Sequence, residues 1–125
     1  MTSVIMWAEI PVADYERAKT FYEAVTDSQM HKMDAGEGCK GAGFAREEES
    51  FGGACILQAP DFTPNTGGVL IYLNAGDDVE GMLKRAADAG GKVVIPRQAI
   101  GEADSGYFAT FTDSEGNTIG LYGSN

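Results

Sequence analysis

The chain repeats its own plan. A strand pattern, a capped amphipathic helix and a run of short strands span about residues 4–58, and the same order returns over about residues 69–122. Asp14 opens the first helix and Asp77 or Asp78 the second, half a chain length later. A duplicated unit with one helix and several strands builds a curved, composite sheet, and a cleft between the copies is a natural place for a small ligand. The segment between them, about residues 59–68, carries Pro60, Pro64, Gly67 and Gly68 and is expected to be a linker. Two such units in 125 residues make a single domain over residues 1–125.

Within the first copy, Val4, Met6, Ala8, Ile10 and Val12 alternate with Ile5, Trp7, Glu9 and Pro11, the period of a strand with one buried face. Ala18, Phe21, Tyr22 and Val25 then recur at helical spacing behind Asp14, a good N-cap, with Glu16 suited to the positive helix start. This helix should cover the Val4/Met6/Ala8/Ile10 face, which leaves Trp7 and Glu9 on the other. In the second copy Val69, Ile71, Leu73 and Ala75 oppose Leu70, Tyr72 and Asn74. Val79, Met82, Leu83 and Ala86 form the helical stripe, Glu80 and Lys84 an exposed i, i+4 pair, and Gly90-Gly91 the stop.

Further strands are expected at 29–34, 42–48 and 51–58 in the first copy, and at 92–96, 107–112 and 118–122 in the second. Gly36, Gly38, Gly41 and Gly43 interrupt the first set; Asp113 to Asn117 is a hairpin turn; Arg97 to Gly106 is a polar loop. The acidic run Glu47-Glu48-Glu49 is a solvated turn, and Glu102 and Asp104 sit in the late loop.

Nine basic against 19 acidic residues give a net charge of −10, which argues against nucleic acid or an anionic membrane as partner. No apolar run is long enough to span a membrane, and MTSVIMWAEI lacks the basic start of a signal peptide. Cys39 and Cys55 form no CxxC, so reduced thiols and a cytoplasmic location are expected.

Three stretches carry a resemblance. Val12 to Tyr22 fits V-x-D-x-x-x-A-x-x-F-Y, Ala89-Gly90-Gly91-Lys92-Val93 fits A-G-G-x-V, and Asp113 to Ile119 is similar to D-P-[DE]-G-N-x-[IL]. Together they resemble the vicinal oxygen chelate superfamily, whose members include glyoxalase I, bleomycin-resistance proteins and extradiol dioxygenases. The resemblance implies an α+β fold of paired βαβββ modules forming a curved, incompletely closed mixed sheet, and homodimers. It also implies, for metal-using members, ligands on the first and last strands of each module. Matched position by position, the usual first-strand His falls on Trp7, the second module's opening ligand on about Leu70, and the carboxylate after the hairpin on Gly120. Only Ile56 or Gln58 is on offer in the first module's last strand. Indole, leucine and glycine are not donors a divalent ion selects.

The expectation is therefore a glyoxalase/bleomycin-resistance-like protein that binds a small organic molecule in a concave cleft, with no cofactor and no metal-binding residue. Strand parity puts Trp7, Tyr72 and Tyr122 on one concave face, with Phe44, Tyr107 and Phe111 as further aromatic candidates. Such rings suit a flat or cationic ligand at roughly 0.5–2 kcal/mol each, unless they merely fill the sheet's hollow as core. The candidate ligand set is Trp7, Leu70, Tyr72, Asn74, Tyr107, Gly120 and Tyr122, and Glu9, facing the same cleft, is the candidate general base. His31, the only histidine, and the two cysteines lack an evident partner for acid–base or nucleophilic work. The alternatives are a metal-dependent or Glu9-based lyase, isomerase or dioxygenase, and a partner-binding module built on the dimeric sheet.

Overall fold

The structure is a computed structural model that describes residues 5–45, 53–101 and 105–125. Its elements run β1 (Trp7–Pro11), α1 (Tyr15–Thr26), β2 (His31–Met33), β3 (Lys40–Gly43), β4 (Gly53–Gln58), β5 (Ile71–Asn74), α2 (Val79–Asp88), β6 (Lys92–Ala99), β7 (Tyr107–Thr112) and β8 (Thr118–Gly123). They form two four-stranded sheets, ordered β1-β4-β3-β2 and β5-β8-β7-β6. In each, the module's first and last strands pair in parallel and the remaining pairs are antiparallel. The duplication read in the sequence is thus a duplication of topology. The two sheets are not joined into a closed barrel.

What joins the modules is a core between the sheets and the helices. The expected stripes of α1 and α2 are all buried, with Tyr15 added to the first. Tyr22 meets Phe44 edge-on at 5.3 Å, while Phe21 lies 6.2 Å from Phe111 of the other sheet. One helix therefore seals both halves. Asp14 and Asp78 cap α1 and α2 by accepting from Arg17 N–H and Gly81 N–H.

The β7–β8 hairpin turn is the seat of α1. Glu115 accepts the N–H groups of Ala13 (3.0 Å) and Asp14 (2.8 Å) and a two-pronged contact from the Arg17 guanidinium (2.7 and 3.0 Å). Asn117 Nδ2 donates to the Pro11 carbonyl at 2.8 Å, and the Tyr22 hydroxyl donates to buried Asp113 at 2.5 Å. Burial opposes ionisation of Glu115, but hydrogen bonds from Arg17, Asp14 N–H and Ser114 outweigh it and hold the carboxyl below its usual 4.5. A folded-state value below the unfolded one means the stabilisation is complete above that usual range and is lost as pH falls through the folded value. Glu115→Gln is therefore expected to flatten the acid limb of the stability profile, checked by urea unfolding between about pH 3 and pH 7.

Several sequence expectations need correction. Met6 lies outside β1 and is 55% exposed, so it does not pack under α1, and Val4, Glu47 to Glu49, Glu102 and Asp104 lie outside the described residues. Strand β3 begins at Lys40, earlier than expected, and takes in Gly41 and Gly43. Strand β6 continues through Arg97, Gln98 and Ala99, which the polar composition had suggested were loop. It is an edge strand with two register shifts around Pro96, where a missing N–H is tolerated. The i, i+4 ion pair of α2 is Lys84–Asp88 at 2.8 Å, not Glu80–Lys84.

Candidate functional site

Each sheet has one face against the helices and one turned away from them. On the second sheet, core residues Ile71, Leu73, Ala109, Phe111, Ile119 and Leu121 fix the parity. The intervening residues of β5, β7 and β8 make the open face. Tyr72, Gly120 and Thr110 make one row across β5, β8 and β7, and Asn74, Tyr122 and Phe108 make another. The Tyr72 ring lies flat against Gly120, where a β-carbon would stand 2.5 Å from two ring carbons. Over this face opens a cavity of about 620 Å³ lined by Tyr72, Leu73, Asn74, Ile100, Phe108 and Tyr122. That volume is in the range of small-molecule sites.

Two polar side chains of the cavity are held by backbone groups. The Tyr122 hydroxyl donates to the Ser105 carbonyl at 3.1 Å, and Asn74 Oδ1 accepts the Gly76 N–H at 2.8 Å. Because only the amide oxygen can accept from that N–H, the side-chain orientation of Asn74 is chemically determined and its Nδ2 is left as a donor.

The first sheet repeats the arrangement. Trp7 stands beside Gly53, as Tyr72 does beside Gly120, and Glu9, Cys55, Gly43 and His31 form the next row across the strands. Cys55 is 1% exposed yet lies outside the core cluster, on the opposite side of β4 from Ile56. Burial, then the Glu9 carboxylate, push its thiol up to about 11, while a hydrogen bond from the Trp7 indole pulls the other way. The thiol therefore stays protonated near neutrality and is a poor nucleophile. His31 is exposed on β2 at the sheet edge, with β3 between it and Cys55.

Strand parity had grouped Trp7, Tyr72 and Tyr122 on one face. They lie on equivalent faces of two different sheets, and neither Trp7 nor Glu9 lines the 620 Å³ cavity. Tyr107 is on the helix side, packed against the core with the Arg97 guanidinium 4.0 Å above its ring. Phe111 is wholly buried there, and Phe44 packs against the same core. The third aromatic that lines the cavity beside Tyr72 and Tyr122 is Phe108, which sequence reasoning missed, as it did Ile100. Alternation from Phe111 back through Ala109 would have found Phe108, since two core residues fix the parity of the whole strand. Leu70 precedes β5, and the side chain beside Gly120 is Tyr72. Ile56 is in the core, and Gln58 accepts the Tyr15 N–H at 2.8 Å at the start of α1, so β4 presents Cys55 to the open face instead.

A divalent metal fits these faces poorly. Trp7, Gly53, Tyr72, Gly120 and Tyr122 include no side chain that such ions favour as a ligand; Glu9 and His31 are of a favoured type but stand on β1 and β2 at opposite edges of the first sheet, and Cys55 between them is held as a thiol. Among the described residues no three or more His, Cys, Asp or Glu side chains come together in a metal-binding group.

A twice-repeated βαβββ plan with a ligand-sized hollow on an open sheet face defines a class of paired-module α+β proteins. The model of the glyoxalase/bleomycin resistance protein/dioxygenase superfamily matches residues 4–121, and the chain belongs to that superfamily. Among solved structures it is similar to a glyoxalase/bleomycin resistance protein from Albidiferax ferrireducens T118, at 17% identity and TM-score 0.72, covering 97% of this chain and 98% of that one. A domain from Frankia sp. EAN1pec aligns at 13% identity and TM-score 0.72, over 100% and 94% of the two chains. The E144Q glyoxalase I mutant of Zea mays aligns at 20% identity and TM-score 0.72; the match covers 94% of this chain and 46% of that one. At these identities the likeness is one of fold. No curated protein matches the chain.

Proposed function

We propose that this chain binds a small organic molecule on the open faces of its sheets and does so without a catalytic metal. The observation that carries the reading is the repeated aromatic–glycine pair. In both modules the first strand presents a ring, Trp7 or Tyr72, beside a glycine of the last strand, Gly53 or Gly120. A glycine beside a ring leaves a flat apolar surface, suited to stacking and not to coordination.

The binding unit is a homodimer. Ile5, Met6, Trp7, Val69 and Leu70 stand 38–91% exposed around the open edges of β1 and β5, apolar surface that a second copy would cover. The chain acts in the cytoplasm, its two cysteines reduced.

A second reading is a lyase or isomerase with Glu9 as general base. What favours it is the position of Glu9, exposed on the open face in the row of Cys55. Two measurements test the binding reading. Elemental analysis of protein purified without chelator is expected to find less than about 0.1 equivalent of Zn, Ni, Fe or Mn per chain, far below the stoichiometric loading of a true site. Thermal-shift screening against flat aromatic compounds and small carbonyl metabolites is expected to give hits whose stabilisation rises with concentration. Stoichiometric metal, or silence across a broad panel, would overturn the proposal.

A further inference from the structure

Resting on that binding reading, we infer that the cavity over the second sheet takes an uncharged, planar aromatic molecule with a hydrogen-bond acceptor, such as a carbonyl, at one edge. The sequence left a flat ligand and a cationic one equally open. The cavity itself distinguishes them.

Among the described residues, the six that line it include no Asp, Glu, Lys, Arg or His. The open-face carboxylate of Glu9 belongs to the other sheet. Taking an ion out of water into a largely apolar hollow without a counter-charge is unfavourable, whatever the sign of the ion. Net charge attracts cations to the molecule from a distance, but it does not replace a partner inside the site.

The shape argues for flatness. Tyr72 is laid against Gly120, Tyr122 is tethered to Ser105, and Phe108 stands beside Tyr122 in register. One of the three rings, Tyr122, is thus tethered before anything binds. Rings fixed in this way offer π-faces to a planar guest at little cost in side-chain entropy.

The directional group is Asn74. Gly76 N–H takes one lone pair of its oxygen and fixes the amide's orientation, and both Nδ2 hydrogens are left to offer a guest. Among the described residues no protein acceptor takes them. A donor with no counter-charge selects a neutral acceptor on the ligand and discourages a cation.

The test uses the full chain with three environment-sensitive dyes: Prodan, a neutral planar ketone; thioflavin T, a planar cation; and 1-anilinonaphthalene-8-sulfonate, an anion. Prodan is expected to bind with a blue-shifted emission and at least about tenfold more tightly than either charged dye. Asn74→Asp keeps the acceptor that Gly76 needs but removes the donor; it should weaken Prodan about tenfold, the worth of one good hydrogen bond, and narrow or reverse its lead over thioflavin T. Phe108→Ala should weaken Prodan while leaving that ranking in place. Thioflavin T binding as well as or better than Prodan would overturn the uncharged class while leaving the binding reading intact. Prodan affinity unchanged in Asn74→Asp would overturn the assigned donor. No binding by any dye, together with silence in the broader thermal-shift screen, would take the binding reading down as well.

Discussion

Asp113→Ala is expected to cost about 3–5 kcal/mol of stability, the largest effect of any single polar substitution in the described structure. Its carboxylate accepts the Tyr22 hydroxyl, the N–H groups of Glu115 and Asn117, and Asn117 Nδ2, all between 2.5 and 2.9 Å, while being only 5% exposed. Alanine abandons these donors in a place with little access to water. The turn that seats α1 then loses its internal bracing. Tyr22→Phe removes only one donor and should cost about 1–1.5 kcal/mol. Burial first, and then the charge of Asp113, hold the Tyr22 phenol well above its usual range, so the hydroxyl is a constant donor through neutral pH. The check is a double-mutant cycle by urea unfolding: Tyr22→Phe should cost much less when Asp113 is already alanine. Additive losses would show that the two groups act independently.

Gly123→Ala is expected to cost about 3 kcal/mol, at the upper end for overpacking. A β-carbon at Gly123 would stand 2.6 Å from the Gly76 carbonyl oxygen and 3.0 Å from Val79 Cγ2. Neither neighbour can step aside freely: the Gly76 carbonyl accepts Ser124 N–H at 2.8 Å, and Val79 is wholly buried at the start of α2. Gly120→Ala makes an instructive contrast. The offended atoms there belong to the Tyr72 ring, which is 49% exposed and can swing outward. Its loss in stability should be small, under about 1 kcal/mol, while the floor of the cavity is disturbed. Denaturant midpoints of the two variants, measured side by side, check the ordering; equal losses would contradict it.

The sequence was most legible where a period and a cap coincide. Both helices, the first N-cap and all of their apolar stripes except Tyr15 follow from Asp14 and the spacing of Ala18, Phe21, Tyr22, Val25, Val79, Met82, Leu83 and Ala86, while the second N-cap is narrowed to Asp77 or Asp78. Trp7 and Glu9 were rightly turned away from α1, because the short alternation around Ile10 leaves no second choice. Legibility failed where polarity stood in for geometry. Arg97 and Gln98 look like loop residues, but an edge strand with a bulge hides nothing on one side and tolerates them. Tyr107 was preferred to Phe108 as a cleft residue although Phe111, the more apolar of its strand-mates, marks its side of β7 as core. In the first module the last strand is read through Ile56 and Gln58, which both face α1; Cys55, the residue before Ile56, is on the open face. The separation of Trp7 from Tyr72 and Tyr122 had no local signal at all, because it depends on how two sheets are placed and not on either one.

The lending of a hairpin by the second half to a helix of the first has a lasting consequence. Duplicated genes usually leave each copy free to survive without its twin. Here the borrowed turn works against that freedom: the Ala13 and Asp14 N–H groups, the Arg17 guanidinium and the Tyr22 hydroxyl find their acceptors about a hundred residues downstream, in the other copy. The chain is expected to melt as one piece, which leaves the outward surfaces that neither helix touches as the places where substitutions cost the fold least.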